Sequence, residues 1–68
     1  MNVRINGEAR EMDTGLVIAA FVDRELSGRS KDGVAVAING EVLRRSDWNQ
    51  KTLNDGDAVE ILEAVCGG

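Results

Sequence analysis

Histidine is absent from this sequence of 68 residues. That removes Ser-His-Asp and Cys-His relays, His-ligated zinc and His proton shuttles, unless a second chain supplies the imidazole. A self-contained hydrolase is disfavoured. The single cysteine, Cys66, cannot close an intramolecular disulfide, form a Cys-x-x-Cys redox pair or build a four-cysteine zinc or iron–sulfur site. The chain must stand on packing alone, as expected in a reducing cytoplasm. Phe21 and Trp48 are the only aromatic residues, and acidic residues outnumber basic ones twelve to eight. Both the stacking platforms and the basic groove of a nucleic-acid-binding protein are therefore missing. The longest unbroken apolar run, Leu16 to Val22, has seven residues, against the roughly 20 that a membrane span requires, and no secretory n-region precedes it. The expectation is a soluble cytosolic protein that engages neither nucleic acid nor membrane.

What is present describes one small domain. A chain of this length buries only about 60% of its unfolded surface, so its core must be compact, and the 43% hydrophobic fraction suffices for that. The net charge of -4 divides into -1 over residues 1–34 and -3 over residues 35–68. The second half would suit a basic partner surface.

Val3 and Ile5 alternate with polar neighbours before Asn6-Gly7, a pair suited to the positive φ angles of a tight hairpin turn. The return strand, Glu8 to Met12, is charged and poorly patterned, which places it at a sheet edge. Asp13-Thr14-Gly15 is expected to supply an N-cap oxygen to a helix of about a dozen residues, whose stripe Ile18, Phe21, Val22 and Leu26 has helical spacing. The loop from Ser27 to Gly33 ends it. Val34 to Ile38 reads as an inner strand with large residues (Val34, Val36, Ile38) on one face and small ones (Ala35, Ala37) on the other. Asn39-Gly40 repeats the hairpin signal, and Glu41 to Arg45 returns. Ser46-Asp47-Trp48 reads as a capped turn or short helix, and Asn54 to Asp57 as a further turn. The last strand runs from about Ala58 to Ala64, with Val59 and Ile61 on one face and Glu60, Leu62 and Ala64 on the other. One helix must then cover one face of the sheet, an α+β two-layer domain. Its expected core is Val3, Ile5, Ile18, Phe21, Val22, Val36, Ile38, Leu43, Val59 and Ile61.

The last strand leads directly into Val65-Cys66-Gly67-Gly68. Two glycines without side chains allow an extended tail to thread a channel too narrow for any Cβ, which would present the α-carboxylate of Gly68 as the reactive group. A carboxylate is a poor electrophile, so its use requires ATP-driven adenylation by another protein, after which a sulfur or nitrogen nucleophile displaces AMP. By itself a terminal Gly-Gly is most often only frayed chain.

At this point the sequence resembles the ubiquitin-like sulfur carriers of the β-grasp fold, and among them the ThiS family of thiamine-biosynthesis carriers. The resemblance rests on Val3 to Glu8, on Val36 to Trp48, on the Asp55-Gly56-Asp57 turn and on Gly67-Gly68, with Val36 to Trp48 the most specific stretch. It implies a mixed sheet of four to five strands with one main helix packed on one face, the first and last strands side by side at the centre. Residues 1–64 would form the β-grasp domain and 65–68 a flexible tail. It further implies that an E1-like, ThiF-type adenylyltransferase using ATP and magnesium activates Gly68, with Gly67 serving tail threading. Sulfur from a donor such as a cysteine desulfurase would then give a thiocarboxylate, which a ThiG-type thiazole synthase consumes in building the thiazole of thiamine. The chain would be a co-substrate and not an enzyme, would bind no cofactor of its own, and would be a monomer when free. It departs from the family in lacking a proline between Leu43 and Ser46.

The small subunit of molybdopterin synthase, a ubiquitin-like protein modifier and an interaction module with an inert tail remain alternatives. Strand alternation turns Ala35, Ala37 and Leu62 away from the helix, leaving a small apolar patch for partners to grip. Cys66 would enter partner sites with the tail, and reads either as an exposed, unpaired thiol or as a site of mixed-disulfide formation. Trp48 closes the edge of the core or contacts a partner.

Overall fold

The computed structural model describes residues 1–63. The expected tail, 65–68, and Ala64 lie outside the described residues. Five strands form one sheet: β1 (Asn2–Ile5), β2 (Glu8–Glu11), β3 (Val34–Ile38), β4 (Glu41–Leu43) and β5 (Ala58–Glu63), with helix α1 (Ile18–Leu26) between β2 and β3. The spatial order is β2-β1-β5-β3-β4. The β1–β5 pair is parallel, and the β1–β2, β3–β5 and β3–β4 pairs are antiparallel. The first and last strands thus lie side by side in the middle of a mixed sheet, and the charged β2 occupies an edge.

Both Asn-Gly pairs turn as their chemistry dictates. Asn6 and Gly7 have φ of 50° and 83°, and Asn39 and Gly40 have 52° and 85°, the doubly left-handed geometry of a two-residue hairpin. Helix α1 buries Ile18, Phe21, Val22 and Leu26 against Val3, Ile5, Val36, Ile38 and Val59 of the sheet. Because β3 alternates, the same register that sends Val36 and Ile38 into this core turns Ala35 and Ala37 outward.

Three expectations need correction. The helix has nine residues, and neither Asp13 nor Thr14 caps it: the N-cap is Val17, without a side-chain bond. Its first free N–H groups find backbone acceptors instead, Ile18 donating to Lys51 O at 2.8 Å and Ala19 to Trp48 O at 3.0 Å. With those groups already satisfied, a side-chain cap has no work to do. The segment around Ser46 is a 3-10 helix over Arg45–Asp47, also without a side-chain cap. Finally, the core is deeper on the side of the 44–57 connection than expected. Trp48 and Leu53 are buried, whereas Leu43 and Ile61 are only partly so. Leu53 is drawn in because its N–H donates to Leu16 O at 2.9 Å, next to an isolated bridge between Val17 and Thr52.

Arg10 of the edge strand reaches the helix, donating from Nη2 to Glu25 Oε2 at 2.7 Å. That hydrogen bond, aided by the Coulomb attraction of Glu25 and opposed by burial, raises the Arg10 pKa above its ordinary value. Among the described residues no helix is long and apolar enough to cross a membrane.

Candidate functional site

Two features frame the C-terminal end of β5. The first is its attachment. Toward β3 it is paired over five positions, from Ile38↔Val59 to Val34↔Glu63. Toward β1 the paired positions end at Ile5↔Val59, because the chain turns away at Asn6. Here Asn6 continues the contact: its N–H donates to Val59 O at 2.9 Å, and its Oδ1 accepts from Ile61 N–H at 2.9 Å. Glu63 is held in turn by Arg29, whose Nη1 donates to Oε2 at 3.2 Å.

The second feature is the sheet face opposite the helix. Ala35 pairs with Leu62 and Ala37 with Val42, so the two cross-strand pairs form a stripe from β5 over β3 to β4. Leu62 is 60% exposed and Val42 78% exposed, the two large apolar side chains left in solvent among the described residues. Ala35 is exposed and Ala37 half-buried. The structure therefore brings Leu62, Ala35 and Ala37 together as strand alternation requires. It adds Val42, which sequence reasoning missed; carrying the alternation of Val36 to Ile38 across the Asn39-Gly40 turn would have found it. Glu60, opposite Ala37, sets a carboxylate beside the stripe.

Trp48 belongs to the core. It is 3% exposed, donates from Nε1 to Leu43 O at 3.1 Å, and has the Arg45 guanidinium 5.6 Å above its ring, a cation–π contact. Cys66, Gly67 and Gly68 lie outside the described residues.

The described surface does not assemble a reaction centre. A hollow of about 340 Å³ beside the β3–β4 hairpin, lined by Ile38, Asn39, Glu41, Val42, Leu43 and Lys51, joins one carboxylate and one ammonium without a nucleophile–base pair. Among the described residues no group of three or more carboxylate, thiol or imidazole side chains is placed to hold a metal ion.

Residues 3–68 match the model of the ThiS family. The chain belongs to the ThiS family. Its small β-grasp domain is that of a carrier protein, of the sulfur-carrier type in thiamine biosynthesis. Among its relatives, the sulfur carrier protein ThiS of Escherichia coli is 28% identical, with all of both chains covered. A thiazole synthase of Paramagnetospirillum magneticum is 37% identical over the whole of this chain, which spans 20% of that protein's length. The crystal structure of the ThiS thiamine biosynthesis protein of Geobacter metallireducens is 36% identical, with a TM-score of 0.80 and all of both chains covered. A solution structure of a thiamine biosynthesis protein from the same organism gives a TM-score of 0.78, covering all of this chain and 88% of that one.

Proposed function

We propose that this ThiS-family chain carries sulfur as a thiocarboxylate on Gly68. In the first step an E1-like, ThiF-type adenylyltransferase uses ATP and magnesium. The Gly68 carboxylate oxygen attacks the α-phosphorus, pyrophosphate leaves, and an acyl-adenylate results. A sulfur nucleophile that draws on a donor such as a cysteine desulfurase then displaces AMP. That nucleophile is a persulfide, so the first product is an acyl disulfide. A thiol such as free cysteine attacks its outer sulfur, the S–S bond breaks, a mixed disulfide leaves, and the sulfur kept on the acyl carbon is that of a thiocarboxylate. This sulfur passes to a ThiG-type thiazole synthase for the thiazole of thiamine.

The observation that carries this reading is the agreement of the whole chain, at 36% identity and a TM-score of 0.80, with a ThiS thiamine biosynthesis protein. The thiazole synthase that contains a stretch 37% identical to this chain supports the choice of acceptor, since covalent joining brings a carrier to its enzyme at high effective concentration. The stripe of Leu62, Ala35, Ala37 and Val42 is the surface these partners grip. Glu60 beside it, and the surplus of carboxylates in residues 35–68, favour a basic rim on the partner. Cys66 accompanies the tail without reacting, since the chemistry requires the carboxylate and not this thiol. We place this chemistry in the cytoplasm.

Intact mass spectrometry tests the proposal. The chain is incubated with ATP, magnesium, cysteine, a cysteine desulfurase and the ThiF-type enzyme. The expected product is heavier by the exchange of one oxygen for sulfur. Isopeptide-linked adducts on lysines in its place would assign the chain to protein modification, and an unchanged mass would refute activation of Gly68.

A further inference from the structure

We propose that Asn6 is a positioning residue for the carrier tail, its side-chain amide standing in for the strand residue that β1 lacks opposite Ile61. The proposal rests on the carrier reading and adds to it a group that holds the root of the reactive segment.

Between parallel strands, bonds to one side recur every second residue, and here Arg4 N–H donates to Asp57 O and Asn6 N–H to Val59 O, each at 2.9 Å. The next β5 residue in that series is Ile61. In a straight β1 the carbonyl of residue 6 would accept from Ile61 N–H and the N–H of residue 8 would donate to Ile61 O, but at residues 6 and 7 the chain reverses into β2. A carboxamide has the same donor and acceptor as a peptide unit, and the Asn6 side chain uses both: Oδ1 accepts from Ile61 N–H at 2.9 Å, and Nδ2 donates to Ile61 O at 3.4 Å. Asparagine tolerates positive φ better than other residues with side chains apart from aspartate. One residue therefore turns the hairpin and extends the ladder; glycine at position 6 would do only the first.

Asn39 is the counterpart at the start of β5. Its backbone N–H donates to Ala58 O at 2.7 Å and its Oδ1 accepts from Ala58 N–H at 2.9 Å. Two hairpin asparagines thus grip β5 at Ala58 and at Ile61, and only the Asn6 grip lies on the side of Gly68. With Asn6 in place, the last backbone hold on the β1 flank is Ile61; without it the hold falls back to Val59. Each residue that must be ordered when the carrier docks weakens docking by up to about tenfold. The carboxylate itself is unaltered once seated, so the loss falls on KM and not on kcat.

The test combines hydrogen exchange of the free chain with initial rates of pyrophosphate release by a ThiF-type adenylyltransferase, well below every variant's melting temperature. In Asn6→Gly, which keeps the turn, exchange at the Ile61 amide should accelerate more than about tenfold, and KM for the chain should rise about fivefold with kcat within about twofold. Asn6→Asp retains the acceptor for Ile61 N–H and should restore both. Asn39→Gly loosens the far end of β5; it should lower the melting temperature yet leave KM within about twofold. An unchanged KM in Asn6→Gly, an equal rise in Asn39→Gly, or failure of Asn6→Asp to restore KM overturns the positioning role while the carrier reading stands. A wild-type chain that elicits no pyrophosphate release refutes the carrier reading and the proposal with it.

Discussion

Asn39 and Asp57 clasp each other between the β3–β4 turn and the entry to β5: Asn39 Nδ2 donates to Asp57 Oδ1 at 3.0 Å. The second carboxylate oxygen, Oδ2, accepts from Asn54 N–H at 2.8 Å. Asp57, 8% exposed, is the one buried charged side chain among the described residues, and both its oxygens face donors. One residue on, Asn39 Oδ1 accepts from Ala58 N–H, so this contact also places the start of the strand that leads to the tail.

Asp57→Ala is expected to destabilise the fold by about 1–3 kcal/mol, because it strands two donors in a partly buried site. Asp57→Asn should not rescue it, since an amide can offer only one of the two positions an acceptor. Urea titration followed by circular dichroism measures both, and an asparagine variant as stable as wild type would show that the donors reach water.

Trp48 separates packing from its one hydrogen bond. Trp48→Phe keeps most of the buried ring and loses the Nε1–H bond to Leu43 O, a cost of about 1 kcal/mol. Trp48→Ala opens the core beside Leu53 and should cost about 3–5 kcal/mol, a large share of the stability of a domain this small. Thermal melts read by circular dichroism give the ranking, and equal melting temperatures for the two variants would contradict it.

For the open sheet face, Leu62→Glu and Val42→Glu should each change stability by less than about 0.5 kcal/mol, since both side chains already stand in water. Ile18→Ala, at a fully buried position, should cost about 2–5 kcal/mol, and Ile61→Ala less than that because Ile61 is half-covered. Calorimetric titration with the adenylyltransferase or thiazole synthase should show at least about a tenfold rise in Kd for Leu62→Glu. Normal binding by a stable Leu62→Glu protein would leave the stripe without a docking role.

Deleting Gly68, or changing it to valine, should abolish AMP transfer with a nearly unchanged melting temperature, because among the described residues the buried core runs from Val3 to Val59. Radiolabelled-AMP transfer beside a thermal melt checks both halves. Normal transfer to the shortened chain would rule out the Gly68 carboxylate as the activated group.

Much of this arrangement was legible without coordinates, and the reason is local. Asn6-Gly7 and Asn39-Gly40 dictate their turns through φ alone. The alternation of Val34 to Ile38 assigns both faces of β3, and the spacing of Ile18, Phe21, Val22 and Leu26 assigns one face of the helix. Alternation likewise turned Ala35, Ala37 and Leu62 outward. What it did not reveal depends on contacts between residues far apart in the chain. Helix α1 begins without Asp13 or Thr14 because the carbonyls of Trp48 and Lys51, about thirty residues later, meet its first N–H groups. Of the two aspartates in Asn54-Asp55-Gly56-Asp57, only Asp57 is buried: Asn39 waits for it across the sheet, while Asp55 Oδ1 accepts from Asn2 N–H at the surface. The Asn6 clasp arises only because parallel pairing of β1 with β5 sets that side chain against Ile61, 55 positions away in sequence. Periodicity reports which way a side chain points; which distant backbone group it meets is decided when the strands come into register.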